Sequence, residues 1–127
     1  MHKSRISTLL IDVPQAEAPR AQNFWSAALG VRTGSPPGEP QYISLYDAVP
    51  GLVTAVQALE EGEPRYHLDI ETDDVDAETA RLIGLGAVEV SSWQGCNTLR
   101  VPGGQLVCVI PVHSDPEEFA AKATPWP

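Results

Sequence analysis

The chain has 127 residues, of which 43% are hydrophobic and 20% charged, and its 17 acidic against 8 basic side chains give a formal net charge of -9. That balance excludes a nucleic-acid partner, which needs a basic footprint. No apolar run approaches the roughly 18 residues of a membrane span, and no charged segment leads into an apolar one as in a secretory leader. A cytoplasmic protein with no membrane contact is expected, with Cys96 and Cys108 as reduced thiols.

In chain order, Ser7 to Val13 reads as a strand. Ala21, Phe24, Trp25, Ala28 and Leu29 then recur at the spacing of one helix face, with Pro19 near the start and Gly30 just past the end. Residues 35–40 (Ser-Pro-Pro-Gly-Glu-Pro) form a loop, and Tyr42 to Tyr46 and Leu52 to Leu59 follow as strands about a turn at Val49-Pro50-Gly51. Arg65 to Glu71 alternates strictly, with His67, Asp69 and Glu71 on one strand face and Leu68 and Ile70 on the other. Asp74 is positioned to cap a helix whose stripe is Val75, Thr79, Leu82 and Ile83, stopped at Gly84 or Gly86. Val88 to Trp93, Thr98 to Val101 and Gln105 to Ile110 read as strands separated by turns at Gln94-Gly95 and Pro102-Gly103-Gly104.

The order β-α-β-β-β therefore occurs twice, with a weak second strand near Val31 to Thr33 in the first copy. Thr8 aligns with His67, Asp12 with Glu71, and Leu29-Gly30 with Leu85-Gly86. Strands with one apolar face beside an amphipathic helix pack that face on the helix, which assigns Leu9, Ile11, Leu68 and Ile70 to the core. The fold class expected is α+β: two βαβββ modules forming an eight-stranded, partly open curved sheet around a cavity, with helices on the outer face. Module one spans about 6–60, module two about 65–112, and a tail 113–127 completes a single domain, with Trp126 docking the terminus on this chain or on a dimer partner. Concave places of that kind, with a few convergent polar groups, suit a small ligand.

The segments Asn23 to Gly30, His67 to Glu71, Ala80 to Ala87, Leu99 to Gly104 and Ala123 to Pro127 together resemble the vicinal oxygen chelate superfamily, the glyoxalase and bleomycin-resistance fold, in its small glyoxalase-like branch. The resemblance implies a homodimer that binds a small molecule in the cleft of its sheet. In metal-dependent members four strand positions hold one divalent ion, and carried over these fall on Thr8, Gln57, His67 and Cys108. Only His67 is a good ligand there. Gln57 offers an amide oxygen, Thr8 is a poor ligand at neutral pH, and a Cys108 thiolate suits zinc better than an oxygen-rich site.

The expectation is thus a ligand-binding protein without the metal site and with no cofactor. Its ligand-binding candidates are His67, Asp69, Gln57, Thr8, Trp93 and Tyr46, and His67 is the best catalytic candidate. The alternative is a lyase, isomerase or dioxygenase in which Zn, Ni, Mn or Fe is held by His67 and Gln57. His67 also reads as a hydrogen-bonded strand histidine, Cys108 as a small core residue and Trp25 as a core aromatic. The acidic charge reads as solubility, or as a field favouring a cationic ligand of the kind that antibiotic-sequestering relatives bind.

Overall fold

The computed structural model describes residues 1–127. The fold is α+β: nine strands in mixed parallel and antiparallel pairing, three α-helices and one short 3-10 turn at Gln15–Glu17. No helix is long and apolar enough to cross a membrane.

The βαβββ order holds in both copies. The first is β1 (His2–Pro14), α1 (Ala18–Leu29), β2 (Thr33–Gly34), β3 (Tyr42–Leu45) and β4 (Val53–Leu59). The second is β5 (Arg65–Thr72), α2 (Val75–Gly84), β6 (Val88–Trp93), β7 (Cys96–Arg100) and β8 (Leu106–Pro111). Pairing repeats as well. The opening strand lies parallel to the closing one, β1 on β4 and β5 on β8, and the two middle strands follow antiparallel. The weak second strand is a two-residue strand, Thr33–Gly34. Beyond the second copy, α3 (Pro116–Lys122) and β9 (Thr124–Trp126) were not expected, and β9 raises the strand count from eight to nine by pairing antiparallel with the start of β1.

The chain divides into two compact units, residues 8–67 and residues 1–7 with 68–127. β1 and β5 run through both, so unit boundaries fall inside these strands and differ from the sequence modules.

In the unit of residues 8–67, Ile11, Ala18, Ile43, Leu45 and Val56 form the core, and Val13, Ala21, Trp25 and Ala58 pack against it. Strand alternation then sends Thr8, Leu10 and Asp12, with Ala55 and Gln57 of β4 and Tyr42 of β3, to the opposite face. The α1 stripe is narrower than its spacing implied. Trp25 packs inward, but Phe24 is 62% and Leu29 47% exposed. The sheet supports only the residues near Ala18, Ala21 and Trp25, and Phe24 instead makes a T-shaped pair with Trp25, ring centroids 5.2 Å apart. Gly30 ends the helix with φ 67°, a left-handed cap that other residues adopt only at a cost.

In the other unit, Ala87, Leu99, Val107 and Val109 form the core, with Leu68, Ile70, Val75 and Leu82 packed on it. Asp74 caps α2 as anticipated, accepting from the Ala77 amide at 3.0 Å. Ile83 is exposed, whereas Glu78 is fully buried. Its carboxylate accepts from Arg81 at 2.7 and 2.9 Å and lies 2.8 Å from His2 Nε2. These hydrogen bonds hold its pKa below the ordinary value, against the opposing and larger single influence of burial. Trp126 stacks on the Arg81 guanidinium at 3.7 Å and donates from Nε1 to Ser4 Oγ, so the terminus docks on its own chain.

Candidate functional site

Alternation along β1 and β5 sets the site. Asp12 sits two turns of the pleat beyond Thr8 on the face away from α1, beside Gln57 in the parallel β1–β4 register. Gln57 is in turn the register partner of Tyr42. Arg65 and His67, alternate residues at the start of β5, both reach one oxygen of Asp12. His67 Nδ1 lies 2.6 Å and Arg65 Nε 3.1 Å from Asp12 Oδ2. Asp12 is 1% and His67 8% exposed, whereas the Arg65 side chain is 45% exposed. The second oxygen, Asp12 Oδ1, is buried without a hydrogen-bond partner.

A carboxylate oxygen only accepts, so the imidazole carries its proton on Nδ1 and donates it to Asp12. Nε2 is then the ring nitrogen without a proton while the imidazole is neutral. A histidine aligned in this way by a buried carboxylate is suited to general acid and base work. Asp12 was not among the residues singled out in the sequence. The available signal was its place two and four residues from Leu10 and Thr8 on one strand face, and its alignment with Glu71.

The remaining candidates take different positions. Thr8 is buried on the same face of β1, in register with Val53. Tyr46 follows β3. Its hydroxyl lies so close to Gly34 that a Cβ there would come within 2.6 Å, and the Arg32 guanidinium covers its ring at 5.3 Å. That face of the ring is therefore taken. Trp93, in the other unit, is 71% exposed at the end of β6, before a turn whose residues Gln94 and Gly95 have φ 49° and 78°.

Asp69 is the register partner of Cys108, and Thr98 Oγ1 lies 3.5 Å from the Cys108 sulfur. Both cysteines are free. The Cys96 thiol is pushed up by burial first, then by electrostatic coupling to Cys108 and Asp69.

Whether a divalent ion fits depends on the donors. Asp69 pairs with Cys108 in the second copy, and the matching register pair in the first is Leu10 with Ala55, neither of which can ligate. Gln57 lies two residues further along, opposite Asp12. The oxygen-rich four-ligand arrangement therefore does not fit these residues. Within the other unit, Asp69 of β5 and Cys108 of β8 are register partners, an oxygen and sulfur pair of the kind that zinc accepts.

The sequence profile of a glyoxalase-like domain matches residues 8–110. The chain belongs to that family. No curated protein sequence matches it significantly. Among solved structures, methylmalonyl-CoA epimerase from Mycobacterium tuberculosis is similar, with a TM-score of 0.59 at 17% identity over 91% of each chain. So is a protein described as NAD-dependent benzaldehyde dehydrogenase from Legionella pneumophila, with a TM-score of 0.64 at 13% identity over 84% of this chain and 98% of that one. A hypothetical protein from Bacillus halodurans C-125 gives a TM-score of 0.60 at 11% identity over 88% and 96%. At these identities the likeness shows the fold, the vicinal oxygen chelate fold that the sequence resembles, and does not carry substrate or chemistry to this glyoxalase-like chain.

Proposed function

We propose that this glyoxalase-like protein binds a small molecule on the polar face of its opening strands, with His67 as the contacting acid or base and Asp12 as its positioning residue. The observation that carries the reading is the 2.6 Å contact between His67 Nδ1 and a carboxylate that is itself 1% exposed. His2 makes a similar contact with buried Glu78, but Arg81 engages both oxygens of that carboxylate, whereas Asp12 keeps one buried oxygen without a hydrogen-bond partner and shares the other with a half-exposed Arg65, an incomplete arrangement that a structural role does not need. The reading does without the metal site of the fold, because Thr8 is a poor ligand and Ala55, not Gln57, stands in the register place that matches Cys108. A cytoplasmic homodimer goes with it, and sedimentation equilibrium tests the dimer.

The Asp69 and Cys108 register pair favours a second reading, a zinc-type site serving a lyase, isomerase or dioxygenase, with His67 as the ligand that the family resemblance implies. Such an ion would polarise a substrate oxygen, and Asp12 would orient the ligating imidazole from behind, as outer carboxylates do at many metal-bound histidines. Metal content of the purified protein, with and without zinc, nickel, manganese or ferrous supplementation, separates the two. The first reading expects no stoichiometric metal and no difference between wild type and His67→Ala. One equivalent of metal that His67→Ala loses would overturn it in favour of the second.

A further inference from the structure

We infer that the ligand of this site is a small carboxylate or similar planar oxyanion, clamped by Arg65 beside His67. The inference rests on the reading of His67 as a ligand contact and adds the chemical class of what it contacts.

Arg65 is held by one nitrogen only. Its Nε donates to Asp12 Oδ2 at 3.1 Å, and that is its one ion pair. The two terminal amino groups, on a side chain 45% exposed, are left to an outside partner. An arginine in that state is half of a bidentate fork, since the pair of terminal nitrogens matches the spacing of two carboxylate oxygens. Asp12 pre-orients the fork and, by sharing the same oxygen with His67, sets guanidinium and imidazole side by side.

Two neighbours strengthen the case. The loop before β5 carries Glu60, Glu61 and Glu63, yet none of them pairs with Arg65. Gln57, in register with Asp12 on the same face, brings a side-chain amide that makes no hydrogen bond to another side chain and that suits an oxyanion edge. The net charge of -9 describes the whole surface, whereas the recognition element here is a cation. The cationic ligand suggested by overall charge is therefore the opposite of what this site selects.

The test uses the full chain labelled with 15N and two probes, malonate and 1,3-diaminopropane, at neutral pH and constant ionic strength, read at the His67 imidazole and Arg65 Nε–H signals. Malonate is expected to shift both signals saturably and the diamine neither. Arg65→Gln is expected to weaken malonate at least ten-fold with the rest of the amide spectrum unchanged, and Arg65→Lys to restore only part of the affinity. Arg20→Gln, which removes an exposed arginine paired with Glu17, is expected to change nothing.

Equal malonate affinity in Arg65→Gln and wild type would overturn the inference, as would equal losses in Arg65→Gln and Arg20→Gln. If the diamine moves His67 and malonate does not, the ligand site stands and the oxyanion class falls. If malonate moves Arg65 and leaves His67 still, His67 is not the contact, and the inference falls with the reading beneath it. If neither probe moves either signal, there is no clamp.

Discussion

Asp12 and Glu71 are matched residues in the two copies of the repeat, and they are spent in opposite ways. Glu71 is fully buried and surrounded by donors: Arg5 Nε at 2.8 Å, Ser114 Oγ at 2.7 Å and the amides of His113 and Ser114 at 3.0 and 3.2 Å. Asp12 is as deeply buried, but both of its donors crowd one oxygen and the other oxygen has none. The arginines differ in the same sense. Arg5 is 14% exposed and also donates to Ser114 Oγ at 2.9 Å, whereas Arg65 is 45% exposed and held at Nε alone. A buried carboxylate with every lone pair engaged holds the fold together. One left partly unsatisfied beside a histidine and an open guanidinium carries a cost that stability alone does not explain.

The largest expected effect breaks the satisfied member. Glu71→Gln keeps one oxygen for the His113 and Ser114 amides but sets an NH2 against Arg5 Nε and Ser114 Oγ, leaving Arg5 in a poorly solvated place with only a 3.8 Å pair to Glu118. A loss of about 3–5 kcal/mol in denaturant unfolding is expected. A loss below about 1 kcal/mol would show that the Glu71 cluster is not the structural anchor of its unit.

Acid reaches the same residue without mutation. Glu71 is held down from 4.5 to about 2; burial, the largest single influence, raises it, and the hydrogen bonds from Ser114, Arg5 and the His113 and Ser114 amides together outweigh that. A folded pKa below the unfolded one contributes stability that is fully present above about pH 4.5 and is lost as the pH falls towards about 2. The amount at stake is roughly 3 kcal/mol at most, and Glu71→Gln should flatten this limb of the stability-pH curve. A mutant curve parallel to wild type below pH 4.5 would assign acid lability to other carboxylates.

Asp12→Asn is expected to cost less, about 1–2 kcal/mol, because Arg65 can turn to solvent. Its distinctive effect falls on His67. An amide no longer obliges Nδ1 to carry the proton, so imidazole 15N shifts should show the tautomers mixing, and any ligand contact at Nε2 should weaken. Asp12→Glu, which keeps the charge, should recover part of the tautomer preference. An unchanged tautomer in Asp12→Asn would remove the positioning role.

Much of this was legible in the sequence, and the limits of legibility are physical. Alternation in Arg65 to Glu71 and the stripe in α2 report local geometry, so the strands, the Asp74 cap and the repeated βαβββ order follow directly. Which polar residues end up paired depends on register between strands distant in sequence. His67 was visible because histidine on a strand face is uncommon, whereas Asp12 looked like any strand-end carboxylate and Glu78 like any helix-surface one. Gln57 shows the same limit: a two-residue offset in register puts it opposite Asp12 and leaves Ala55 as the counterpart of Cys108. The tail beyond Ile110 gave no periodic signal, since a helix of seven residues and a strand of three are too short to show one.

The smallest expected effect is the sharpest discriminator. Arg5→Gln and Arg65→Gln remove the same group from matched carboxylates. In the first, three donors still hold Glu71, but its charge loses its only nearby guanidinium, and a loss of about 2–3 kcal/mol is expected. In the second, His67 remains on Asp12 and the guanidinium lost was largely in water, so the change should stay within about 0.5 kcal/mol. Paired urea melts on the two variants measure that difference directly. Equal losses would mean that Arg65 is as structural as Arg5 and that the two copies are spent alike. A silent Arg65→Gln means that the fold does not need this cation, which leaves recognition as the reason for keeping it oriented on a buried carboxylate.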